Sequence, residues 1–273
     1  MSSTAETRPE PVRPTGPDAV AAALARRWRL VTYAAIVVLA GIGWVFLLRA
    51  AIGHGFATLG PGMAALGPLV ERLGLPVAPY GGTDVAGLLA MWAAMVLAMM
   101  LPTAAPTIAA HAAAGRHPAI VGAGYLTVWG AVAVVATLLQ TGLVALGALS
   151  PHMAPAGTAL SASVLIAAGI YQFTPLKRVC LVRCRNPHAA FADGRSPGAA
   201  YRIGLEEGVA CLGCCWTLMA VMFAAGLMNL VAMAVLGVLM GLEKVVSGNL
   251  LTYSTGILLL VAGFGLASGP FFG

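Results

Sequence analysis

Apolar residues run through this chain in long blocks, separated by short stretches rich in Gly, Pro or charge. A helix needs about 20 apolar residues to cross a bilayer. Seven blocks reach or approach that length: residues 30–48, 84–110, 120–149, 158–173, 204–226, 229–242 and 249–268. The pattern predicts an all-α fold, a polytopic transmembrane helix bundle of about seven helices. Pro102 and Pro106 lie late in the second block. Proline has no N–H to give, so a kink or an end is expected there. Between the fifth and sixth blocks stands only the sparse turn Gly226, Leu227, Met228 and Asn229, and one long bent helix is the alternative. Residues 50–82 hold Gly, Pro, His54, Glu71 and Arg72 and read as an extramembrane loop, with a short amphipathic helix near 63–73.

The ends and the charges orient this picture. Residues 1–25 are rich in Pro, Ser, Thr and Glu and read as a disordered cytoplasmic tail. Residues 26–273 then form a single transmembrane domain. No cleavable leader is expected, because the first 30 residues lack an apolar core and the first apolar block is long enough to span. The chain is 60% hydrophobic and only 9% charged, against roughly 25% charged for soluble domains. Its 34 glycines fit close helix packing in a membrane. The net charge of +6 does not point to nucleic acid, because the basic residues cluster as membrane topology requires. With the N-terminus inside, Arg26, Arg27, Arg29 and Arg116 lie in the cytoplasm, as do Lys177, Arg178, Arg183, Arg185, Arg195 and Arg202. Only Arg49 and Arg72 face outward. The expected location is the inner (plasma) membrane, multi-pass, with the lipid bilayer as the first partner.

Sulfur adds chemistry to the fold. Three of the five cysteines, Cys211, Cys214 and Cys215, fall inside the fifth apolar block. At about 100° per residue, Cys211, Cys215, Met219 and Met222 share one side of a helix, with Cys214 beside them. Thiolate and thioether sulfur favour Cu(I), and thiolate also favours zinc. The bland alternative is that Cys and Met simply fill an apolar core. Cys180 and Cys184 sit at i, i+4 on the preceding basic segment, at the same predicted membrane face. That face is reducing, which favours free thiols or metal ligands over disulfides. A split site joining both cysteine groups is therefore expected. In the second block Met91, Met95 and Met99 are four apart, and Met95 and Met99 would face Met219 and Met222 if the two helices pack. Adaptable packing is the competing reading of that stripe.

Other candidates are weaker. Glu206 and Glu207 read as the start of the fifth helix, where carboxylates suit the helix dipole. Glu243 and Lys244 read as a pair at the inner boundary. Gln172 and Asn229 read as helix–helix glue. His54, His111, His117, His152 and His188 are dispersed. The sequence has no Walker-type phosphate loop, no nucleophile elbow and no histidine pair spaced for haem.

Three runs, taken together and in order, resemble a known family. They are Met91 to Pro102 with Met95, Met99 and Met100; Tyr171 to Lys177 with Cys180, Cys184 and Pro187; and Cys211 to Trp216 followed by Gly226, Met228 and Asn229. The family is one of bacterial predicted metal-binding integral membrane proteins, a domain of unknown function, and the resemblance covers about residues 85–250. It implies a metal-linked role, with copper the first metal to consider. The expected function is a non-enzymatic membrane protein that binds or moves a soft metal ion, Cu(I) before zinc. It would act as a transporter or as an assembly factor serving a metallochaperone or a membrane metalloenzyme. The alternatives are a thiol-redox protein cycling Cys211 and Cys214, or a structural subunit of a larger membrane complex.

The topology is testable in cells. A cysteine introduced at Gly194, within the basic segment, should escape an impermeant thiol reagent added to intact cells. Ready labelling from outside inverts the assignment.

Overall fold

The computed structural model describes residues 17–54, 85–149, 157–186, 196–227 and 229–269. The helix expected at 63–73 lies outside them. The described residues form helices and no strands. In chain order they are α1 (Pro17–His54), α2 (Val85–Ala113), α3 (Pro118–Ala145), α4 (Thr158–Tyr171), α5 (Pro175–Arg185), α6 (Pro197–Ala225), α7 (Leu230–Val245) and α8 (Leu250–Ala267). Five are long and apolar enough to cross a membrane: α1, α2, α3, α6 and α8. A sixth crossing arises only if α4 and α5 count as one span, and those two are bent by 66°. The sixth apolar block becomes α7, of 16 residues. At 1.5 Å per residue it is about 24 Å long, short of a hydrocarbon core of about 30 Å.

Local chemistry explains the boundaries. α1 begins at Pro17, inside the stretch read as a tail, because Pro17 at the first turn precedes an Ala-rich run of strong helix formers. α6 begins at Pro197, with Ser196 as its cap: the Ser196 hydroxyl accepts from the Ala199 N–H at 3.2 Å. Glu206 and Glu207 therefore ride in the third turn of α6 rather than at its start. Glu206 meets Arg183 of α5 and Arg202 of its own helix instead of a helix dipole. Thr174 caps α5 in the same way, accepting from the Lys177 N–H at 3.3 Å, and so sets the bend after α4. Between α6 and α7, Gly226 takes φ +94° and Asn229 caps α7. Only glycine adopts that backbone readily, so the two helices are separate.

Pro102 and Pro106 do not end α2. The ladder opens for one turn, Val96–Met100, in which the Leu101 N–H bonds the Val96 carbonyl. Such a π turn, placed just before a residue that cannot donate, lets the helix continue past the proline.

The helices pack through small residues. α3 and α6 cross where Gly124 faces Gly204, and a Cβ on Gly204 would collide with the Val121 carbonyl oxygen. Without a strong hydrophobic drive between helices in lipid, such close backbone approach supplies much of the association. The interior formed by α2, α3 and α6 encloses Met95, Met100, Tyr125, Trp129, Leu218 and Met222.

Replacing Gly204 by Val should lower the unfolding midpoint in detergent, since overpacking costs about 1–3 kcal/mol. Gly130→Val, where an added Cβ meets nothing within 4 Å, is the control. Equal midpoints for the two variants would refute this account of the α3–α6 crossing.

Candidate metal centre

α6 carries Cys211, Cys214 and Cys215 at i, i+3 and i+4, on the side turned into the bundle. All three are buried, and their sulfur atoms lie within 4.8 Å of one another. The Cys211 and Cys215 sulfurs are 3.9 Å apart. Cys214 and Cys215 both donate back to the Cys211 carbonyl, at 3.1 and 2.8 Å, which aims their thiols at one point. This is the only group of three such ligand residues among the described residues.

The bend before α5 brings in the other cysteines. Cys184 places its sulfur 3.9 Å from that of Cys214. Cys180 rests over Gly213 of α6, where a Cβ would strike the Cys180 sulfur. The two cysteine groups expected to meet across the basic segment do meet, with Cys184 inward and Cys180 at the edge.

The π turn of α2 supplies a thioether. It adds one residue to the helical phase, so Met100, rather than Met99, takes the place five after Met95 that faces α6. The Met100 sulfur lies 3.8 Å from that of Cys215. Met99 lies instead against Gly237 of α7. Met219 lines a hollow with Trp92 and Phe223. Met95 and Met222 are fully buried in the core. Among the described residues, no hydrogen bond joins Met95, Met99, Met219 or Met222 to a cysteine sulfur.

Polar groups hold the Cys211 side of the nest. The Tyr125 hydroxyl lies 3.1 Å from the Cys211 sulfur and 2.8 Å from the Met100 carbonyl oxygen. Thr103 donates to the same carbonyl at 2.7 Å. The Lys244 ammonium donates to Thr103 at 2.8 Å and to the Cys211 sulfur at 3.0 Å. None of Met100, Thr103, Tyr125 or Lys244 was recoverable as a site residue from spacing alone. Lys244 carried the one usable signal, an ionisable residue within an apolar stretch.

Glu243 and Lys244 do not pair with each other. On a helix, neighbours point about 100° apart. Glu243 instead pairs with Lys177 of α5 at 2.7 Å, with both side chains almost fully buried. Arg185 donates to the Glu243 carbonyl from Nε at 2.9 Å and from Nη2 at 2.6 Å. Together they clamp α5 to α7, and so hold Cys184 and Lys244 against the nest. Asn229 serves as a cap, and His111 sits buried with Nδ1 3.0 Å from the Thr107 carbonyl.

The sulfur spacing suits a soft ion. With metal–thiolate bonds of about 2.3 Å, two sulfurs 3.9 Å apart subtend roughly 115° at a shared ion, between tetrahedral and trigonal. Two to three thiolates with a neutral thioether form a donor set for Cu(I). The family model PpoB2, described as a copper chaperone, matches residues 89–266. The chain belongs to this copper chaperone family. The matched stretch contains α3 to α7, nearly all of α2 and α8, all five cysteines and Met100. No curated protein and no solved structure matches the chain. Membership and the buried cysteine cluster together support copper binding by this family member.

Breaking the Lys177–Glu243 pair leaves one buried charge alone, which costs about 3–5 kcal/mol. Lys177→Met should therefore strongly lower the unfolding midpoint. Lys177→Met combined with Glu243→Leu should recover much of it. A single variant as stable as the parent would show that the pair does not hold α5 in place.

Proposed function

We propose that this protein is a multi-pass inner-membrane copper chaperone that carries Cu(I) as cargo in the nest of Cys211, Cys214 and Cys215. Cys184 flanks that nest, the Met100 thioether closes its α2 side, and Cys180 forms its outer edge. The observation that carries the reading is three buried thiols converging within 4.8 Å in a chain of the copper chaperone family. Thiolates hold a monovalent soft ion tightly, and two or three suffice.

In this reading the chain performs no catalysis. It receives Cu(I) at the cytoplasmic face, where thiols stay reduced, and passes it to a membrane metalloenzyme or to a metallochaperone. Met219 and Met222 on α6, with Met95 on α2, form a weaker thioether path beyond the nest. A neutral thioether suits that depth, because it avoids the cost of burying further charge.

Changing Cys214 and Cys215 together to serine should abolish stoichiometric copper in the purified protein. Met219→Leu with Met222→Leu, which roughly conserves volume, should leave the stoichiometry intact and slow transfer to an acceptor chelator. Copper content unchanged in the double-serine protein would leave the cysteines as core filling. A Cys211–Cys214 disulfide that forms and reduces reversibly without copper would favour thiol-redox chemistry instead.

A further inference from the structure

A cleft of about 540 Å³ lies between α1, α2, α5 and α7. That volume is within the roughly 300–1,000 Å³ of small-ligand sites. Most of its wall is apolar, with Trp44, Pro102, Gly237 and Gly241. Its polar residues are Cys184, Thr103, Lys244 and Arg185. Cys184 and Lys244 also touch the nest, through the Cys214 and Cys211 sulfurs. The cleft and the nest therefore share a wall; Cys184 is the thiol that lines the cleft, and the Met99 thioether lines it as well.

Among the described residues, the charged ones lining the cleft are Arg185 and Lys244, both cationic, and no carboxylate lines it. A bare cation is repelled from such a space, and an anion of matching size is drawn in. Arg185 also donates to the Gly248 carbonyl at 2.9 Å, in the exposed turn after α7, so the cationic residues reach toward solvent.

We infer that this cleft is the loading vestibule of the nest, and that it admits Cu(I) as a small anionic complex with two low-molecular-weight thiolates. The inference rests on the reading of the cysteine nest as a Cu(I) site. Transfer is ligand exchange. The Cys184 thiol displaces one carrier thiolate and gives it its proton. Cys214, whose sulfur lies 3.9 Å further on, then displaces the second in the same way. Two sulfur–copper bonds break and two form, copper stays monovalent, and no electron moves. A folded carrier domain is too large for this space, so the complex enters without its source protein.

Gly241 gives a test that leaves every sulfur untouched. It lines the cleft, and an added Cβ there meets nothing within 4 Å. In a helix, an alanine or leucine is also favoured over glycine. Full-length wild type, Gly241→Ala and Gly241→Leu, purified in detergent, would be loaded anaerobically with Cu(I) bis-cysteine complex, and separately with Cu(I) supplied as its acetonitrile cation. Uptake is followed by copper–thiolate absorption, and final content by elemental analysis. The expected result is equal final copper in all three, with Gly241→Leu loading from the thiolate complex at least about ten-fold more slowly and Gly241→Ala near wild type. Wild type should also load faster from the anionic complex than from the cation. Equal rates for wild type and Gly241→Leu would overturn the route alone. Faster loading from the cation would overturn the anionic carrier. A wild type that takes up no copper from either source would sink the nest reading, and the route with it.

Discussion

Pro102 cannot donate a backbone hydrogen bond, and the site is built on how α2 absorbs that defect. In an apolar surround, a broken helical ladder has to be repaired nearby. Here the ladder widens for one turn before the proline. That turn rotates Met100 toward α6 and sets its thioether beside Cys215. It also presents the Met100 carbonyl to the hydroxyls of Thr103 and Tyr125. Tyr125 then reaches the Cys211 sulfur, and Thr103 receives Lys244. One missing N–H thus arranges four of the groups around the cysteines.

Charge within the bundle follows the same economy. The ammonium of Lys177 and the carboxylate of Glu243 neutralise each other between α5 and α7. Lys244, one residue along, turns to the other side and finds the Cys211 sulfur and Thr103. A buried ammonium needs an electron-rich partner. The sulfur nest supplies one, so the placement of Lys244 and the polarity of the nest explain each other. The adjacency of Glu243 and Lys244 in sequence suggested a pair. The helical rotation between neighbours is what separates them.

Much of the architecture was legible because apolar length and helix periodicity act locally. The long blocks at 120–149 and 249–268 became α3 and α8 with ends shifted by a few residues. The i, i+3, i+4 spacing placed Cys211, Cys214 and Cys215 on one face without any tertiary information. Even the meeting of Cys184 with Cys214 followed from the expectation that the two sulfur groups share one membrane face. The failures were of another kind. The short α7 and the bent α4–α5 pair made the number of crossings ambiguous, since their lengths fall between buried and spanning helices. The early start of α6 turned on Ser196 and Pro197, a cap and a first-turn proline inside a polar stretch. Met100 was hidden behind Met99 because a π turn changes phase, and an α-helical repeat read from sequence assumes that it does not. Tyr125 and Thr103 carried no signal, since their role depends on where α3 crosses α2.

A carrier of copper has to hold its ion and also let go of it, and the geometry grades the sulfurs for both. Cys211, Cys214 and Cys215 are buried, while Cys184 and Cys180 are only partly so. Held by three deep thiolates alone, an ion would be hard to extract, because a departing ligand needs an incoming one to replace it. A fourth sulfur 3.9 Å from the nest and nearer its edge gives that replacement a starting point. It stands on α5, a short helix held by the Lys177–Glu243 pair and by the two Arg185 bonds to the Glu243 carbonyl. On its other side α5 is tied to α6 by the Arg183–Glu206 pair and by Cys180 over Gly213, so the place of Cys184 beside Cys214 is fixed from α6 and α7 together.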